Sequence, residues 1–138
     1  DKITSFERVV GTAYDDVFKG SKNANIIDGG AGNDSFRGML GADTYTGGSG
    51  IDTYLWLKKD LSGSNSADHV TDFAAGDQLD LSDFVGGSPV SIYIQVTDSA
   101  AGTVVSVMDG GGFTDVVVLD GLHGLSLTAM LADGSILV

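Results

Sequence analysis

The sequence predicts an all-β protein: a parallel β-roll of nine-residue repeats, then a mainly antiparallel β region with one short helix. Three observations carry this. Glycine recurs every nine residues from Gly11 to Gly47. Within each unit an Asp or Asn holds the sixth place and a large apolar side chain the eighth. Beyond residue 85, β-rich runs alternate with glycine-rich turns.

Residues 1–10, DKITSFERVV, carry apolar Ile3, Phe6, Val9 and Val10. We read them as a leading strand that covers the open end of the coil, since an uncovered end leaves unpaired backbone groups. Glu7 lies nine residues before Asp16. It is either a ligand facing Asn25 or a solvated charge.

Residues 11–55 are five units: GTAYDDVFK, GSKNANIID, GGAGNDSFR, GMLGADTYT and GGSGIDTYL. Position six is Asp16, Asn25, Asp34, Asp43 and Asp52; position eight is Phe18, Ile27, Phe36, Tyr45 and Tyr54. Glycine tolerates tight turns, so the first half of each unit turns. The second half alternates polar, apolar, mostly polar, which is a short strand with one inward side chain. Repetition winds the chain into a flattened coil with two units per turn. The position-eight side chains then stack inside, where no single unit could bury its own. The position-six side chains stack along two edges, Asp16, Asp34 and Asp52 on one and Asn25 and Asp43 on the other. Stacked carboxylates repel unless neutralised. Carboxylates beside carbonyls exposed by glycine turns suit Ca²⁺, a hard cation that takes roughly 6–8 oxygens.

These units resemble the RTX family of secreted bacterial proteins, whose consensus is G-G-x-G-x-D-x-(large apolar)-x. GGAGNDSFR and GGSGIDTYL match it fully, and GMLGADTYT departs only at Met39. The first unit has Thr12 and Tyr14 at glycine positions, and the second has Ser21, Asn23 and Asn25. The resemblance implies an ion between same-edge turns, held by both position-six carboxylates and by turn carbonyls. Carried over, it gives about three Ca²⁺ ions: Asp16 with Asp34, Asp34 with Asp52, and Asn25 with Asp43. Gly11, Gly29, Gly32, Gly38, Gly47 and Gly50 would supply the turns. The Asn25 site has one fewer charge.

After Leu55 the period breaks. Trp56 is expected in the core or at the coil end, rather than as a ligand-stacking platform. SGSNSA, residues 62–67, reads as a loop. Residues 68–84, DHVTDFAAGDQLDLSDF, are similar to the segment D-x-(I/V)-x-D-F-x-x-G-D-x-(I/L)-D-L-S that follows the repeats in RTX proteins of type I secretion. The resemblance implies that residues 56–84 pack on the coil end. Asp72, and less so Asp68, either completes the last ion site or caps a turn.

Residues 85–138 form the last region. Ile92, Ile94 and Val96 alternate with Tyr93, Gln95 and Thr97. Turns at residues 98–102 and 109–112 separate this run from residues 103–108 and 113–119, which predicts an antiparallel meander. Residues 126–131 are expected to be a helix with Ser126 as N-cap, and residues 135–138 a terminal strand. The stretches GTVVSVMDGGGFTDVVVLDG and LTAMLADGSILV resemble the C-terminal target region of type I secreted proteins, above all large repetitive RTX adhesins of the bacterial surface. That implies an uncleaved export signal read by an ATP-driven exporter complex. The same module on a secreted hydrolase or epimerase, or a calcium-dependent glycan-binding module, are the alternatives.

The 138 residues include 21 glycines and no cysteine, and carry a net charge of −12. Disulfides and thiolate metal sites are thus excluded. Nucleic acid and insertion into a membrane are not expected, for want of a basic patch and of a spanning apolar run. Three Ca²⁺ would bring the charge to about −6. No apolar leader follows Asp1, and the first residue is not Met, so a monomeric fragment of a longer secreted chain is expected. His69 and His123 are far apart, no G-x-S-x-G elbow or phosphate loop is present, and no catalytic site is expected.

Overall fold

The strands of the repeats are as short as the alternation requires. In this computed structural model, residues 2–4, 7–61, 66–86, 89–90 and 93–138 are described, without the side chain of Ile3. Ile92, placed in a strand by its sequence, lies outside the described residues. The leader supplies β1 (Lys2–Thr4) and β2 (Arg8–Val10). The repeats supply β3 (Val17–Lys19), β4 (Ile26–Asp28), β5 (Ser35–Arg37), β6 (Thr44–Thr46) and β7 (Thr53–Leu55). In each repeat strand only the middle residue is fully buried.

Alternate strands pair in parallel, so odd strands build one sheet and even strands the other. Phe18 pairs with Phe36, and Ile27 with Tyr45, so like positions stack. The Phe36 ring lies between Phe18, at 5.1 Å, and Tyr54, at 4.9 Å, nearly parallel to both. Tyr45 reaches across from the even sheet to meet Phe36 and Tyr54. This internal ladder of rings is what the two sheets share.

Residues 68–80 depart from the expected end cap. β8 (Asp68–Val70) joins the even sheet beside β6, and β9 (Gln78–Asp80) joins the odd sheet beside β7. Val70 lies next to Tyr45, and Leu79 next to Tyr54, on the same internal ladders. The coil therefore continues for one more full turn. Partners across this step are 25 residues apart instead of 18. The seven added residues lie between Leu55 and Asp68. They include α1 (Lys58–Leu61), so the described residues hold two α-helices where the sequence predicts one. The insert is pinned by Arg37, whose Nε and Nη2 donate to the buried Asp60 carboxylate at 2.8 and 2.9 Å. A planar two-point pair of this kind fixes geometry as well as charge.

The rest of the chain closes both sheets. β10 (Ile94–Asp98), β11 (Gly102–Asp109) and β12 (Gly112–Asp120) form the expected antiparallel meander. β12 then pairs in parallel with β8, placing Leu119 against Val70. α2 (Leu127–Ala132) starts at Ser126, whose hydroxyl accepts the Ala129 N–H at 3.2 Å. β13 (Ile136–Leu137) pairs in parallel with β9, placing Ile136 beside Leu79. Each internal ladder thus ends on a residue of the last region, and Leu119 and Ile136 are both buried.

Replacing Phe36 by Ala removes the ring that two others stack on. It is expected to cost about 3–5 kcal/mol in denaturant unfolding with Ca²⁺ present. Val17→Ala, on the outer face of β3 and half exposed, is expected to stay within about 0.5 kcal/mol.

Candidate metal centre

Between the strands the chain turns on two edges. On the first edge lie residues 11–16, 29–34, 47–52 and 71–77. On the second lie residues 20–25, 38–43, 56–61 and 66–67. The turns demand unusual backbone at fixed places: Gly32 and Gly50 have φ of 120° and 132°. Met39, where the second glycine of a unit would stand, is held at φ 82°, which strains a side chain of its size.

The position-six residues form two buried ladders. Asp16 N–H donates to Asp34 Oδ1 at 2.8 Å, Asp34 N–H to Asp52 at 2.9 Å, and Asp52 N–H to Asp77 at 3.0 Å. On the other edge Asn25 N–H donates to Asp43 Oδ1 at 2.7 Å, and Asp43 N–H to Asp68 at 2.8 Å. All seven side chains are buried. We call each such step between neighbouring turns a rung. The rungs join the residues that the sequence pairs: Asp16 with Asp34, Asp34 with Asp52, and Asn25 with Asp43.

Two further members extend the ladders. By sequence Asp68 is a weaker candidate than Asp72, and Asp77 is not among the candidates. The signal for Asp77 is nonetheless in the sequence: it follows Asp68 by nine residues, as Leu79 follows Val70. Asp72 sits where a unit would begin. Its carboxylate accepts the N–H groups of Gly47 and Gly48, both at 2.8 Å. Glu7 is exposed, and its contribution to the roll is its carbonyl, which accepts the Ile26 N–H.

The glycine at position one leaves a cradle within each rung. A Cβ on Gly29 would collide with Asp34 Oδ2 and with the Gly47 carbonyl; one on Gly11 would meet the Gly29 carbonyl and Asp16 Oδ2. Asp34 Oδ2 is buried and accepts no hydrogen bond from the described residues. A negative oxygen without a donor, beside a turn carbonyl, in a space kept open by a missing side chain, fits a hard divalent cation. Among the described residues no three acidic or imidazole side chains converge, so backbone carbonyls must supply much of any coordination shell.

The profile of the RTX calcium-binding nonapeptide repeat matches residues 5–36 and 20–54. Residues 5–54 are RTX calcium-binding repeats. No curated protein matches the chain. Among the solved structures that match is the solution structure of the AlgE6R3 subunit from the Azotobacter vinelandii mannuronan C5-epimerase. It is 26% identical over 94% of this chain and 81% of that one, with a TM-score of 0.35.

RTX repeats bind Ca²⁺, and the electrostatics of the ladders favour a cation. Burial, then the charge of Asp68, pushes the Asp43 carboxyl up to about 7. Burial lifts Asp68 to about 6. Asp52 also rises to about 6, through burial and the charges of Asp77, Asp34 and Asp72. Asp34 is raised too, mainly by burial.

A carboxyl whose folded pKa exceeds its unfolded one favours folding when protonated. That contribution is present below the unfolded value, near 4, and is lost as pH rises to about 7. With EGTA present, urea unfolding is expected to show a more stable chain at pH 5 than at pH 8. With saturating Ca²⁺ the order reverses, because the metal competes with those protons.

Proposed function

We propose that this chain is a non-catalytic RTX module that folds on calcium binding after export, and that it belongs to a large secreted adhesin of the bacterial surface. In this reading residues 85–138 serve as the uncleaved signal for a type I exporter complex. The observation that carries the calcium half is the pair of ladders of buried position-six side chains. Asp16, Asp34, Asp52, Asn25 and Asp43 would hold the ions, with carbonyls from turns opened by Gly11, Gly29, Gly32, Gly38, Gly47 and Gly50. Asp77 and Asp72 extend this set on the first edge. Bound Ca²⁺ supplies positive charge between carboxylates that otherwise repel.

The folding switch follows from linkage. Where free Ca²⁺ is scarce, the buried acids oppose the roll and the chain stays loose enough to thread a channel. Outside the cell Ca²⁺ approaches the millimolar level to which extracellular modules are tuned. Binding to the folded form alone then pulls the equilibrium toward it. The export half rests on the resemblance of residues 102–121 and 127–138 to type I target regions. Among the described residues no helix is long and apolar enough to cross a membrane.

Circular dichroism is expected to show loss of β structure in EGTA and its recovery on adding Ca²⁺. Asp34 serves two rungs and Asp16 one, so Asp34→Asn is expected to raise the Ca²⁺ midpoint more than Asp16→Asn. Equal β content with and without Ca²⁺ would refute the switch. Export of a fused passenger by a type I system, abolished on deleting residues 85–138, tests the signal.

A further inference from the structure

The last two rungs start differently from the rest. Position one is glycine in all five repeats, which keeps the cradle open. The unit after Leu55 begins with Trp56, and the one after Thr71 with Asp72. Both place a side chain at or beside their rung, one a donor and the other an acceptor.

On the second edge the side chain is an indole. Trp56 is 3% exposed. Its Nε1–H donates to Asp68 Oδ2 at 2.7 Å. The Tyr45 hydroxyl lies 3.1 Å from the same oxygen and 3.4 Å from Asp43 Oδ2. The indole meets the Tyr45 ring edge-on, with centroids 6.2 Å apart. An indole has an N–H to give and no lone pair in its plane. It satisfies a carboxylate and cannot ligate a cation. A Ca²⁺ ion here would face a donor hydrogen where the other rungs have space.

On the first edge the chemistry is reversed. Asp72 spends both carboxylate oxygens on the N–H groups of Gly47 and Gly48, capping the turn beside the rung of Asp52 and Asp77. The Tyr54 hydroxyl, fully buried, has no hydrogen-bond partner among the described residues. A Cβ on Gly47 would touch it and Asp52 Oδ2 together. No indole reaches the carboxylates of this rung, whereas at the other each carboxylate oxygen meets a donor.

We propose that Trp56 and Tyr45 close the rung of Asp43 and Asp68 in place of a calcium ion. This step of the roll is then held by the protein's own donors, while the step opposite it has no indole. The inference rests on the calcium reading above.

The test is the number of Ca²⁺ ions bound per folded chain, measured by native mass spectrometry and by equilibrium dialysis. Asp68→Asn is expected to keep the wild-type count, since no ion uses that carboxylate. Trp56→Phe keeps an aromatic ring, removes the donor, and is expected to gain one ion. Asp34→Asn, at rungs without an indole, is expected to lose at least one. Loss of an ion in Asp68→Asn overturns the proposal, as does an unchanged count in Trp56→Phe. If the wild-type chain binds no Ca²⁺, or Asp34→Asn loses none, it is the calcium reading itself that fails. Should Trp56→Phe not fold, the Asp68→Asn count decides alone.

Discussion

Acids buried one above another are the constraint on which this structure turns. Removing a carboxylate from water costs on the order of several kcal/mol even after relaxation, and the roll buries Asp16, Asp34, Asp43, Asp52, Asp68 and Asp77. The backbone offsets part of this, since on each edge the N–H of one acid donates to the carboxylate of the next. It cannot remove the charge. Against it stands the apolar ladder, in which each inward ring or aliphatic side chain contributes about 1.5–3 kcal/mol. A repeat supplies one of each, so adding repeats lengthens the core and deepens the repulsion together. A cation between the turns would resolve that conflict.

The same two ladders explain why seven inserted residues do not break the roll. Lengthening a surface loop costs little, since closure entropy grows only with the logarithm of length. What must be kept is the geometry at each end. Tyr45 beside Val70 and the Asp43 N–H on Asp68 restore the register on the even sheet. Tyr54 beside Leu79 and the Asp52 N–H on Asp77 restore it on the odd one. Arg37 holds the inserted helix through Asp60 against the strand it projects from. The period is interrupted in the sequence and continuous in space.

That difference marks what could be read in advance. The five repeats were legible because glycine, acid and apolar residue recur in a fixed phase, and phase survives without knowledge of contacts. The meander was legible because alternation and turn residues are local signals. Residues 68–80 were misread as a cap for two reasons. Their phase is shifted by seven, and their units open on Trp56 and Asp72 instead of glycine. The parallel pairing of β12 with β8 and of β13 with β9 has no local signature at all. It depends on which edges the roll leaves open, and that is settled only once the roll exists.

The consequence is that the roll and the last region share both sheets. In a linear array each element is stabilised chiefly by its neighbours, so order gained at one rung passes to the next. β8 and β9 are the neighbours through which it reaches the meander and the final strand. Of the two rungs that lead there, one carries an indole donor, and beside the other Asp72 caps the turn. On the proposed reading a cation would act unevenly on the two sheets at this junction. The even sheet, which holds the three long strands, is joined to the repeats by hydrogen bonds that need no metal. The odd sheet, which ends in two residues of strand, is joined by the pairing of β7 with β9 and by the Asp52 N–H on Asp77, with no indole at its rung. The indole donor therefore stands on the side of the junction that carries more structure.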